Sequence, residues 1–292
     1  MGAPVAPPPP VYEGACPTIA AAPGITSLRS SGEDRELMIV QPATIAPGEQ
    51  LPVVFIWHWL GGEASDVYEK LSLQNAVDEQ RFIAVVPEAK GDILFRWPFG
   101  TSQPDLRMDE EMQFFDDMLA CVAAALPIDN NCVSSIGVSA GALMTAQLAS
   151  RRSERLASFA SISGGVGGMA RPWTPATRKL PALVLWGGPD DFYPENIPLE
   201  QFDDASLELE TGLEADGHLI VECVHNCGHD LPPFEPLEAP SFDLIWRFVL
   251  DHPYWAPAGE SIYQEQMPEA APSWCAIGKG AATPRAVTEV CP

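Results

Sequence analysis

Apolar positions along the chain fall into two rhythms. Short, almost uninterrupted apolar runs occur at 51–59 ("LPVVFIWHW"), 81–89 ("RFIAVVPEA"), 132–138, 157–163, 181–187 ("PALVLWG") and 218–224 ("HLIVECV"). Such runs read as strands buried on both faces. A further strand is expected at 34–42 ("DRELMIVQP"), divided from 51–59 by the turn-forming "ATIAPGEQ". Between the runs the spacing turns helical, around 66–80, 107–125, 140–151, 203–214 and 240–250. In 107–125 the residues Met108, Met112, Phe115, Met118 and Leu119 recur at helical intervals, and acids fill the first turns where the helix dipole favours them. Strands alternating with helices predict an α/β fold: one mostly parallel central sheet with helices on both faces. No internal repeat interrupts it. The main domain is expected at 31–252, after a proline-rich, partly disordered segment at 1–30 ("MGAPVAPPPPV…") and before an appended tail at 253–292.

Chemistry enters at the end of strand 132–138, where the sequence reads "GVSAG" and a helix follows at once. In an open parallel sheet, functional residues collect at the carboxyl ends of strands. Gly-x-Ser-x-Gly between a strand and a helix is the pattern of a nucleophile elbow: a tight turn lifts the serine hydroxyl into the cleft, and flanking glycines let strand and helix approach. Ser139 is therefore the candidate nucleophile. The N–H of Ala140, at the helix N-terminus, is a candidate oxyanion donor. A serine needs a base, itself oriented by an acid. Strand 181–187 ends in "GPDDFYP", which puts Asp190 and Asp191 at the right edge of the sheet, and strand 218–224 ends in "HNCGHDLPP", which does the same for His225 and His229. His229, following a glycine in a loop, is the candidate base; His225 lies closer to the strand and reads as structural. The loop "HWLGGEAS" after strand 51–59 offers Leu60 as second oxyanion donor.

Taken together, "VVFIWHWLGGEAS", "FIAVVPEA", the Glu-Glu-x-x-Phe helix start, "IGVSAGALMTAQLAS", "PALVLWGGPDDFYP" and "GHDLP" resemble the extracellular polyhydroxybutyrate-depolymerase and feruloyl-esterase-like branch of the α/β-hydrolases, over roughly residues 34–250. The resemblance implies a secreted serine carboxylesterase acting on polyesters or plant cell-wall esters, with Ser139 as nucleophile and His229 as base. Laid ungapped on the family's strand and turn, the motif makes Asp190 the acid, with Asp191 as the fallback. Two departures stand out: His58-Trp59 replaces the family's His-Gly, and the loop "GDILFRWPFG" is short. Trp59, Trp97, Phe99 and Phe192 are candidate substrate-binding aromatics, although Trp97 and Phe99 equally fit a role capping the core.

Composition narrows the partners. With 40 acidic and 16 basic residues the net charge is −24, which disfavours nucleic acid and anionic membrane surfaces. No cofactor is expected, and the chain is expected to act as a monomer. Seven cysteines suggest an exported protein with up to three disulfides and one leftover thiol. Cys275 with Cys291, bracketing the tail, and Cys121 with Cys132 are the candidate pairs. Rival readings are an acetylxylan-type carbohydrate esterase, a peptidase, a non-catalytic module that keeps the fold, and a metal-dependent hydrolase using the alternating Cys223, His225, Cys227 and His229. Extended alternation spaces side chains roughly 6–7 Å apart, too far for four ligands on one ion without a bend.

Overall fold

In a computed structural model, which describes residues 3–93, 95–194, 200–264, 266–268 and 271–292, the apolar runs become the inner strands of a nine-stranded sheet. In chain order the strands are β1 (Ile25–Ser30), β2 (Glu33–Val40), β3 (Leu51–Trp57), β4 (Ile83–Pro87), β5 (Ile128–Val138), β6 (Ser158–Ile162), β7 (Pro181–Trp186), β8 (Phe192–Tyr193), β9 (Glu200–Gln201), β10 (Leu219–Val224) and β11 (Cys275–Ile277). The helices are α1 (Ala64–Lys70), α2 (Leu73–Gln80), α3 (Asp105–Ala125), α4 (Ala140–Arg151), α5 (Phe202–Asp216) and α6 (Asp243–Leu250). The sheet runs β1-β2-β4-β3-β5-β6-β7-β10-β11; its six inner strands from β4 to β10 are parallel, and β8 and β9 form a separate small ribbon. This is the α/β-hydrolase fold expected from the sequence.

Alternation along each strand builds two cores. From β3, Val53, Phe55 and Trp57 pack with residues of α3, α4 and α5, whereas Val54 and Ile56 pack with α1, α2 and α6. Because both faces are covered, a strand residue on either side is removed from water, worth about 2–3 kcal/mol for each large side chain. Helix α4 is enclosed from Ala140 to Ser150, which explains its run of small residues.

The edges differ from expectation. Segment 1–30, expected as partly disordered, contributes β1, which the apolar pattern does not reveal because Leu28 is its one buried large apolar residue. The strand is held by antiparallel pairing with β2 through the two-residue turn Ser31-Gly32, both at positive φ (51° and 84°), the geometry that matches strand twist. Residues 3–24 have no regular structure but are tied down: Asn131 Oδ1 accepts from the Ala6 N–H, Asn130 Nδ2 donates to the Pro7 carbonyl, and Cys16 is bonded to Cys121. The expected helix at 66–80 divides into α1 and α2 because Ser72 is left-handed (φ 45°).

Neither expected disulfide forms. Cys121 joins Cys16, Cys223 joins Cys275, and Cys227 joins Cys291, leaving Cys132 as the buried free thiol. Cys223 and Cys275 lie opposite each other in the β10–β11 register, so the tail is fastened to the sheet rather than to itself.

Candidate active site

Strand β5 delivers Ser139 at the sheet's carboxyl edge, with φ 55° and ψ −121°, a strained conformation for a residue with a side chain. The two flanking glycines show why the turn closes. A Cβ on Gly137 would sit 2.1 Å from the Gly141 carbonyl oxygen, and one on Gly141 would sit 2.0 Å from the Trp57 carbonyl oxygen. The Ser139 N–H donates to the Ile162 carbonyl at 2.9 Å, which fastens the corner to the neighbouring strand.

The histidine and the acid arrive on two turns that touch. Gly228 N–H donates to the Gly187 carbonyl at 3.1 Å, and a Cβ on Gly187 would lie 1.9 Å from the Gly228 carbonyl oxygen. This close approach brings the loop after β7 against the loop after β10. His229 Nε2 then lies 2.9 Å from Ser139 Oγ, and its Nδ1–H donates to Asp191 Oδ1 at 2.7 Å. The carboxylate on the imidazole is thus Asp191 and not Asp190. A single 3-10 turn at 188–190 leaves Asp190 exposed on its outer side and carries Asp191 inward to full burial. Asp191 Oδ2 accepts from the Gly187 N–H and from the Ser163 hydroxyl, both at 2.8 Å. Phe202, the first residue of α5, stacks on the imidazole with centroids 4.3 Å apart and planes 10° apart. Two edges and one face of the ring are therefore occupied.

Sequence reasoning missed Ser163 and Phe202. Ser163 ends β6 in "SISGG", a position at the same edge of the sheet that could have been flagged; nothing local marks Phe202.

The Ser139 hydroxyl opens onto a cavity of about 260 Å³ lined by Trp59, Leu60, Leu71, Val138, Ile162, Tyr193, Leu231, Phe242, Ile245 and Trp246, with Lys70, Ser163 and Asp230 as further polar members. Trp59 and Leu60 are where the sequence placed them. Among the described residues, no backbone carbonyl accepts from the Ala140 or Leu60 N–H. His58 holds this loop from beneath: its Nδ1–H donates to the Trp59 carbonyl at 2.8 Å, and its Nε2 accepts from the Ala89 N–H at 3.3 Å. Burial lowers its pKa below the usual histidine value and favours this neutral tautomer.

Three expected substrate aromatics lie elsewhere. Trp97 is fully buried, donates its indole N–H to the His58 carbonyl at 2.9 Å and meets Trp57 edge-on, so it supports the loop rather than facing the cavity. Phe99 is buried in the same core beside Phe95. Phe192 pairs with Gln201 in β8, and strand alternation gives the cavity its neighbour Tyr193 instead.

The metal alternative loses its ligands. Cys223 and Cys227 are both in disulfides, and among the described residues no group of three or more His, Cys, Asp or Glu side chains could hold an ion. His225 is buried, its Nδ1 accepts from the Cys227 N–H, and desolvation pushes its pKa down to about 4, which makes it a neutral structural residue. Burial pushes the Cys132 thiol up to about 12, so it is inert as a nucleophile.

No protein-family model and no curated protein matches the sequence. Solved structures do resemble the fold. The native form of a protein designated sOPH superposes with a TM-score of 0.72 at 17% identity, over 92% of this chain and 99% of its own. The native form of one designated pOPH gives 0.69 at 16% identity, over 91% and 98%. A ferulic acid esterase gives 0.55 at 16% identity, over 72% and 91%. The shared feature is the α/β-hydrolase fold, across more than nine-tenths of the chain in the first two cases.

Proposed function

We propose that the protein is a serine carboxylesterase, exported to an oxidising compartment, that cleaves esters of polyesters or of plant cell walls. One observation carries this reading: a buried carboxylate, an imidazole and a serine hydroxyl are hydrogen-bonded in line at the mouth of an apolar cavity. Asp191 holds the proton of His229 on Nδ1, which leaves the Nε2 lone pair facing Ser139. As Oγ attacks the ester carbonyl, His229 takes the hydroxyl proton and Asp191 balances the imidazolium. The N–H groups of Ala140 and Leu60 receive the developing oxyanion, each donor worth about 3 kcal/mol. His229 then gives the proton to the leaving alcohol, and a water activated by the same nitrogen releases the acyl group from Ser139.

The lining by Trp59, Leu71, Ile162, Phe242 and Trp246 favours an acyl or aryl group of several carbons over an acetyl group. Three disulfides support an extracellular setting. The test is release of p-nitrophenol from p-nitrophenyl butyrate, together with labelling by a fluorophosphonate. Wild-type protein is expected to react with both and Ser139→Ala with neither. Undiminished turnover by Ser139→Ala would overturn the reading.

A further inference from the structure

Of the four lysines, Lys90, Lys179 and Lys279 each face a carboxylate. Lys70, among the described residues, faces none. Its ammonium instead lies 4.8 Å from the centre of the Trp59 ring, and both residues line the cavity that contains Ser139. Arg96, Arg151, Arg178 and Arg247 also make no ion pair among the described residues, but of these unpaired cations Lys70 is the one that lines the cavity. The helix-spaced partner for Lys70 is Asp66, four residues earlier, the order that favours a pair on a helix. Asp66 is engaged elsewhere, because its carboxylate accepts from the Glu63 N–H at 3.0 Å to cap α1. Asp230, the other charged residue of the lining, accepts from the Leu231 N–H at 2.7 Å. The ammonium is thus held on an aromatic face at the cavity, while Asp66 and Asp230 each accept a backbone N–H. Attraction to the ring face fixes its position without neutralising it.

Resting on the esterase reading, we propose that Lys70, seated on Trp59, is a carboxylate-binding subsite, and that the enzyme prefers esters carrying a second, ionised carboxyl group. The whole-chain charge repels such anions, so a local cation beside the apolar wall is the feature that admits them. A half-ester of a dicarboxylic acid fits this geometry: its methylene chain lies along the apolar lining while its free carboxylate meets Lys70. Because Lys70 is solvent-exposed, the gain is modest and salt-sensitive, about three- to fivefold in selectivity.

The test compares mono-p-nitrophenyl glutarate with its methyl-capped diester, both read as p-nitrophenol release. The ratio of their kcat/KM values is expected to fall three- to fivefold in Lys70→Met, chiefly through the KM of the half-ester. Lys70→Arg should retain the ratio, and Lys70→Glu should depress it further. In wild type, 0.5 M NaCl should reduce it toward that of Lys70→Met. A ratio unchanged by Lys70→Met, or insensitive to salt, overturns the subsite while turnover of the diester leaves the esterase intact. If wild type cleaves neither ester, the esterase reading falls and the subsite with it.

Discussion

Replacing Asp191 by asparagine separates the roles of the two adjacent acids at the end of β7. Asp191 Oδ2 sits between two donors, the Gly187 N–H and the Ser163 hydroxyl, while Oδ1 receives the His229 Nδ1–H. Asparagine offers one acceptor oxygen and one NH2 group. The backbone N–H of Gly187 cannot turn away, so the amide oxygen must take the Oδ2 position; the reverse orientation would bury a donor against a donor at about 1–3 kcal/mol. The NH2 group then faces His229 Nδ1, which becomes an acceptor, and the imidazole proton moves to Nε2. In that tautomer His229 donates to Ser139 Oγ and has no lone pair with which to take its proton. The expected loss in kcat is about 10⁴-fold, equivalent to about 5 kcal/mol of barrier, with little change in Tm. Asp190→Asn, at an exposed position outside this network, should stay within about twofold of wild type. Steady-state hydrolysis of p-nitrophenyl butyrate with parallel thermal melts measures both. A larger loss for Asp190→Asn, or more than a tenth of wild-type kcat in Asp191→Asn, would refute the tautomer argument.

Gly141→Ala should destabilise the fold by about 2–3 kcal/mol and lower kcat, because its Cβ meets the backbone carbonyls of Trp57 and His58 at 2.0 and 2.6 Å; an unchanged urea midpoint would mean that strand and helix have room to separate. Cys291→Ser should release the tail from the histidine loop, to which it is also joined by Asn226, whose Nδ2 donates to the Glu289 carbonyl and whose Oδ1 accepts from Arg285. Since the Cys223–Cys275 bridge already shortens the loop closed by Cys227–Cys291 to about 20 residues, the expected cost is about 3 kcal/mol, read as a lower urea midpoint than wild type. Stability should also fall on acidification. His225 binds its proton at about 4 in the fold and near 6.5 when unfolded, so the unfolded chain takes up the proton first, and the stability present above pH 6.5 is lost progressively toward pH 4, by roughly 3 kcal/mol. Urea midpoints across that range, with a shallower slope expected for His225→Gln, measure it; equal slopes would assign the acid sensitivity to other groups.

The inner sheet, the two-sided core and the elbow were legible in the order of residues alone. Uniform apolar runs are the signature of strands covered on both faces, and Gly-x-Ser-x-Gly between a strand and a helix admits one compact geometry, which the Gly137 and Gly141 contacts bear out. The sequence also placed His229 beside the serine, because order along a parallel sheet fixes which loops share an edge. Only the tertiary structure chose Asp191 over Asp190, since one residue of turn separates an inward carboxylate from an outward one and both have the same local pattern. The same holds for the disulfides: Cys16 and Cys121 are 105 residues apart, and no local periodicity records which distant backbone segments come within bonding reach. The edge strands β1 and β11 likewise draw their stability from backbone pairing rather than from an apolar pattern. Trp97 and Phe99 went to the core, Phe202 to the face of the His229 ring and Lys70 to the cavity, for the same reason. Which side of an aromatic or a lysine meets water is set by whatever packs against it, and that neighbour is distant in the chain.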